Sequence, residues 1–333
     1  MKKEYKGVWT IAEVKEGKIN SVSYELLAWG KDLAEKLNVE LSSVVLSDKV
    51  EEIESLIHYG ADKIYYIEHK KLAHFYPDIH TNILKNMVEE LKPEIILASA
   101  TTMGRTIMPA LAAKLNTGLT ADCTNFEIDE KTRSLIQIRP AIGGNVMAKI
   151  KTVTKPQMAT VRPKSKQPLE KDENRNGEII KKEYENEIYE SKYKWINFEK
   201  DRSSEQPIQQ SDVIIAGGKG IKKPENFKQL QRIAEKLNGA VGATRAVVDM
   251  GWIDYSHQIG LSGKTVSPKL YIAVGISGAV QHIAGMSSSK HIISINKDPE
   301  APIFKISDLG IVADATDILP LLEKEIKSGD KNE

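Results

Sequence analysis

Two short apolar runs in this chain end directly in glycine-rich turns, and that pairing restricts the fold more than any other feature. Asp212-Val213-Ile214-Ile215-Ala216 passes into Gly217-Gly218-Lys219-Gly220, with a helical pattern over 227–237 behind it. Leu270-Tyr271-Ile272-Ala273-Val274 passes into Gly275-Ile276-Ser277-Gly278-Ala279-Val280-Gln281-His282. Apolar runs of this length read as buried strands, and glycine straight after a strand lets the backbone turn sharply or approach a phosphate. The first turn lacks the full G-x-G-x-x-G spacing, so by itself it is equally well a tight turn needing positive φ. Two more strand-like runs, 292–296 and 310–314, end in the polar residues Asn296 and Asp314. In open parallel sheets ligands bind beyond the carboxyl ends of the strands, which would bring these side chains to the adenosine part of a dinucleotide. Each alone could instead cap a helix. Two glycine turns and two polar strand ends within one stretch favour a dinucleotide site over accidental turns.

The N-terminal half repeats the alternation of short β-branched runs and longer amphipathic stretches, the mark of an α/β fold with a mainly parallel sheet. Strands are expected at 8–12, 41–46, 63–67 and 94–98, and helices at 24–37, 51–59, 76–91 and 106–115. The small, hydroxylic segment from Ser99 to Arg105 opens the last helix. It could face an anion, but it lacks glycine spacing and a lysine anchor, and a simple helix cap is the better reading. From Pro163 to Gln210 lysine, glutamate, asparagine and serine dominate and the alternation lapses, with Tyr193, Trp195 and Phe198 suggesting a surviving edge strand or hairpin. Two domains are therefore expected, 1–200 and 212–333, joined by a linker at 201–211.

A length of 333 residues supports two cores. The formal net charge of +1 and a charged fraction of 28% argue against a nucleic-acid binder. The apolar run at 8–12 is too short for a signal segment or a membrane span, so a soluble, unexported, cytoplasmic protein is expected, with no membrane insertion. The single cysteine, Cys123, excludes an intrachain disulfide and cysteine-based metal or iron-sulfur sites. It reads as a small buried hydrophobe rather than a nucleophile.

The run from Leu270 to Met286 closely resembles the signature of electron transfer flavoprotein alpha subunits, and 242–249, 263–268, 296–304 and 310–314 extend the likeness. Segments 22–27 and 115–123 are similar to the first domain of that family. The resemblance implies a Rossmann-like C-terminal domain holding FAD, and an N-terminal α/β domain that embraces an electron transfer flavoprotein beta subunit in an obligate heterodimer. It implies an electron carrier between a flavin-dependent dehydrogenase and an acceptor, active as an oxidoreductase only within such a complex. The first domain looks most like those of anaerobic bacterial members, which implies the variant with a second FAD in the beta subunit and NADH-dependent electron bifurcation.

Site roles follow from the resemblance. Arg245 would lie beside the isoalloxazine and favour its anionic states, the Ser262 hydroxyl would bond flavin N5, and His282 would approach the pyrimidine-side carbonyl. Gly275, Ser277, Gly278, Ala279, Val280 and Gln281 would line the pyrophosphate and ribityl region, with Thr244 nearby. Asn296, Asp314 and Ala315 would lie toward the adenosine. Two positions depart from the pattern. Lys219 stands where relatives commonly have arginine, which keeps the charge and loses the planar fork. Gly260-Leu261-Ser262-Gly263 replaces the usual Gly-Gln-Thr-Gly, keeping a hydroxyl and losing an amide. The alternative, a nicotinamide-dependent dehydrogenase, would need a poised acid or base. His257 and His291 are available but sit in no motif, and each reads as a surface or packing residue.

Overall fold

The β-branched and aromatic run Val8–Ile11 forms the middle of a seven-stranded sheet because it must be apolar on both faces, and all four residues are buried. This is a computed structural model, and it describes residues 4–141, 146–197 and 208–326. The strand order is Glu178–Lys181, Lys63–Glu68, Leu41–Ser47, Val8–Ile11, Ile95–Ser99, Gln157–Val161, Leu119–Cys123, and every pair is parallel. Helix Ser21–Leu37 covers one face through Leu26, Leu33 and Leu37. Helices Pro77–Leu91 and Thr102–Lys114 cover the other, where Ile83, Met87, Ile107 and Leu111 meet. A three-stranded antiparallel sheet of Asn125–Asp129, Ser134–Pro140 and Met147–Lys151 completes this unit.

The expected strands and helices up to Lys114 occur, with shifted ends. The 51–59 helix shrinks to Ser55–His58, and the last helix starts at Thr102, placing Arg105 inside it. The strands between 119 and 161 were not anticipated. In the polar stretch the surviving edge strand is Glu178–Lys181, not the aromatic segment: Tyr193 is exposed, Trp195 stacks on His74 at 4.0 Å between centroids, and Phe198 lies outside the described residues. Cys123 is buried, and burial pushes its thiol up to about 12, which leaves it inert.

The chain divides into two compact units, Met1–Pro140 with Met147–Asn197, and Ala141–Val146 with Phe198–Glu333. Residues 201–207 of the expected linker lie outside the described residues, and Ile208 is buried in the core of the second unit. That unit is a five-stranded parallel sheet in the order Ala240–Ala243, Val213–Gly217, Leu270–Val274, His291–Asn296, Leu309–Val312. The chain first steps to one side of Val213–Gly217 and then returns to continue on the other, so the connectivity reverses between Val213–Gly217 and Leu270–Val274. Helices Asn226–Lys236 and Ala315–Glu325 pack on one face through Leu230, Ile233 and Leu319. The strand expected at 310–314 ends at Val312, and Asp314 is the N-cap of the final helix.

At the carboxyl edge of the first sheet the Arg162 guanidinium, almost fully buried, grips both oxygens of Asp122 at 3.2 and 2.6 Å. Removing one partner of such a pair strands a buried charge, whereas removing both does not. Arg162→Met is expected to lower the stability of this unit by about 3 kcal/mol, with a smaller loss in Arg162→Met combined with Asp122→Asn, which removes the charge and suits the left-handed backbone at φ 61. Calorimetry on the single and double variants checks this.

Candidate functional site

The point where the sheet of the second unit reverses direction is where a parallel α/β domain opens a crevice, because the connections on either side leave in opposite directions. A cavity of ≈ 980 Å³ opens there, walled by the segments that follow all five strands. The two glycine turns interlock across it. Gly218 N donates to Val274 O at 2.9 Å, and Gly220 N donates to Gly275 O at 2.9 Å. A Cβ on Gly218 would sit 2.4 Å from Gly275 O, and Gly275 itself has φ +62. The glycines of the first turn therefore serve close packing of turn on turn, and their amides are not offered to a ligand.

The second turn is different. Its helix, Val280–Ile283, is a single turn, so a helix dipole contributes little. What it offers instead is a row of backbone donors: among the described residues the amides of Ser277, Gly278 and Ala279 meet no protein acceptor. Ser277, Ala279 and Gln281 line the cavity beside them. Gly278 and Val280 do not. Gly278 turns away at φ +88 against Ile303, and Val280 faces outward.

The remaining residues singled out in the sequence, Lys219, Thr244, Arg245, Gly260, Leu261, Ser262, Gly275, His282, Asn296, Asp314 and Ala315, all line this cavity. Many of their polar groups are already committed. Asn296 donates to Ile276 O at 2.8 Å and accepts from Asp298 N at 3.0 Å, which fixes the second turn from behind. Asp314 caps Thr316 N at 3.0 Å and accepts from Lys222 Nζ at 2.6 Å, which holds its carboxyl far below the usual range. Arg245 pairs with Asp249 one helical turn on, at 3.2 Å, and stays largely exposed. Lys222 and Lys297 also reach the cavity, although the sequence reading gave neither a role. Lys297 directly follows Asn296 at a strand end, a signal that was available.

His282 is buried with both ring nitrogens bonded. Nδ1 lies 3.1 Å from Ile259 O, and Nε2 lies 2.9 Å from the Tyr271 hydroxyl. A carbonyl only accepts, so Nδ1 carries the proton and Nε2 accepts from Tyr271. Burial pushes the imidazole down to about 4, and the Ile259 bond opposes this. The ring is neutral around pH 7 and offers no free donor to the cavity. His257 is buried on Val241 O at 2.8 Å and His291 is exposed, and neither lines the cavity.

The matching reversal point in the first unit lies between Val8–Ile11 and Ile95–Ser99. Thr101 caps Gly104 N at 3.2 Å and donates to the Glu13 carboxylate, whose affinity for its proton is raised by burial and lowered by that bond. The helix start thus already faces an acidic group of the protein itself, as the helix-cap reading of the Ser99 to Arg105 loop requires.

A crevice of this size at a reversal point, with unpaired amides on one turn and Lys219, Arg245 and Lys297 around it, defines a nucleotide-cofactor-binding α/β domain. Residues 8–186 match the electron transfer flavoprotein domain, and residues 207–287 match the electron transfer flavoprotein FAD-binding domain. The chain is 44% identical over 328 residues to the electron transfer flavoprotein subunit alpha of Thermoanaerobacterium thermosaccharolyticum, covering 97% of this chain and 98% of that one. It is 44% identical over 335 residues to that of Clostridium acetobutylicum, covering 98% of each. A third relative, 38% identical over 331 residues and covering 98% of this chain and 78% of its own, is the lactate dehydrogenase (NAD(+),ferredoxin) subunit LctC of Acetobacterium woodii. The chain belongs to the electron transfer flavoprotein alpha-subunit family, and its second unit is the FAD-binding domain of that family. The cavity suits FAD: it is walled by the ends of five strands, has amides without a protein acceptor on one turn, and carries cations at its rim.

Two outcomes test this geometry. Gly218→Ala forces the two turns apart, so the variant is expected to lose bound FAD while the first unit keeps its melting transition, measured by flavin absorbance and calorimetry. Because the folded His282 binds its proton more weakly than an ordinary imidazole at 6.5, the unfolded chain takes up protons first, and stability is lost as pH falls from 6.5 toward about 4. His282→Gln is expected to flatten that part of the pH profile of the FAD-binding domain's transition.

Proposed function

We propose that this chain carries one FAD as the alpha member of a heterodimer with an electron transfer flavoprotein beta subunit, in the cytoplasm, and relays electrons between a flavin-dependent dehydrogenase and an acceptor. The observation that supports this reading is the cavity itself: it gathers a backbone donor row, a hydroxyl at Ser262 and cations, and it holds no poised acid or base. The one histidine lining it is neutral and locked, and the other two candidates lie elsewhere. FAD supplies the redox chemistry when bound, and the protein supplies binding, orientation and electrostatics. Ser277, Ala279 and their amides hold the diphosphate, with Gln281 and Thr244 toward the ribityl chain. Asn296, Asp314 and Ala315 shape the adenosine end. Arg245 and Ser262 would stand at the isoalloxazine, where the guanidinium, exposed and paired with Asp249, would favour negative charge on the ring. His282 contributes as a neutral wall that holds the Ile259 carbonyl, and not as a cation.

We also infer the bifurcating variant, in which the beta subunit carries a second FAD and NADH is the hydride donor. The relative whose name pairs NAD(+) with ferredoxin supports it, since that name couples a two-electron nicotinamide with a one-electron carrier. No helix is long and apolar enough to cross a membrane among the described residues. Extracting flavin from the chain co-expressed with its beta subunit is the test. About two FAD per heterodimer are expected for the bifurcating form and about one for the simple carrier, since each cofactor needs its own binding fold. A colourless complex that added FAD cannot restore overturns the flavoprotein function.

A further inference from the structure

Ser262 sits in a short loop that is tied down on every side. Ile259 N donates to Ala243 O at 2.9 Å, Lys264 N donates to Gln258 O at 2.7 Å, and Leu261 N donates to Gln281 O at 2.8 Å. Tyr255 Oη donates to the Ser262 carbonyl at 2.7 Å. Beneath the loop runs the side chain of Gln258, buried at 3% exposure and packed so closely that a Cβ at Gly263 would meet its Cγ at 2.9 Å. Its Nε2 reaches Ser262 Oγ at 3.1 Å. An amide nitrogen only donates, so Ser262 Oγ accepts in this bond. Among the described residues Ser262 Oγ has no other hydrogen-bond partner, and its own proton is left for the cavity that Ser262 lines and Gln258 does not.

We infer, resting on the reading that this cavity holds FAD with its N5 edge at Ser262, that Gln258 is a positioning residue which makes the Ser262 hydroxyl a one-way donor toward the flavin. The consequence concerns protons. An electron that reaches the ring alone leaves it anionic, with N5 still an acceptor that the Ser262 proton satisfies. A proton added at N5 turns that nitrogen into a donor facing another donor, which disfavours its uptake. Gln258 thereby keeps electron arrival separate from proton arrival, without touching the cofactor.

The test is the colour of the one-electron-reduced flavin in the FAD-loaded heterodimer, titrated with dithionite under anaerobic conditions. Gln258→Glu keeps the shape of the side chain, and above the pH at which burial lets that carboxyl ionise it only accepts. The Ser262 proton turns inward to it and the oxygen lone pairs face the flavin. The ratio of the neutral, blue species to the anionic, red one is expected to rise about tenfold, the worth of one charge-assisted hydrogen bond. In a Ser262→Ala background the same substitution is expected to shift the ratio much less, since only the through-space charge of the carboxylate then acts, whereas a merely structural role for Gln258 gives the same shift in both backgrounds. Should Gln258→Glu lose its FAD, Gln258→Met frees the hydroxyl to rotate, and a smaller rise is expected. An unchanged ratio in an FAD-replete variant, or an equal shift without Ser262, overturns the inference. A wild-type heterodimer without FAD instead overturns the reading on which it rests.

Discussion

The contact on which the second domain depends is the approach of two backbone turns, Gly218 to Gly220 against Gly275, close enough to leave no room for a single Cβ. Two hydrogen bonds cross it, and both run between main-chain atoms. This seam joins the two strands whose connections diverge, so it forms the floor of the crevice as well as its hinge of assembly. Every polar group above it is oriented relative to that floor. The second turn can offer its amides outward because the first turn supports it from below, and the division of labour between two similar glycine motifs follows from sheet order alone.

Much of the rest of the site is held by bonds the protein makes to itself. Asn296 is spent on the back of the second turn, Asp314 on a helix cap and on Lys222, and His282 on Ile259 and Tyr271. Such groups do not need to reorganise when a cofactor arrives, which is what fixes a binding constellation to within a fraction of an ångström. It also means that several side chains lining the cavity are held in place by bonds within the protein.

How far the sequence reveals this differs by element. Val8–Ile11, Ile95–Ser99 and Leu270–Val274 were legible because strands buried on both faces are continuous apolar runs. Asn125–Asp129 and Met147–Lys151 were not, since the first is only half-buried and the second largely exposed, and their charged residues break up the apolar run. Glu178–Lys181 hid in a charged stretch because an edge strand needs only a few half-buried residues. In the site, Ser277, Gln281 and Asn296 could be read from motif and strand end. Gln258 and Tyr255 could not: they act across a loop on Ser262, and no spacing in the sequence announces that.

The acid at the start of the helix Thr102–Lys114 gives the first domain a distinct chemical character. Both domains are parallel sheets with a reversal point, where such folds bind ligands, yet in the first Glu13 and Thr101 occupy that place with a carboxyl group and its own hydrogen bond. The feature that leaves amides open on one turn of the second domain is, in the first, already engaged by the protein's own side chains.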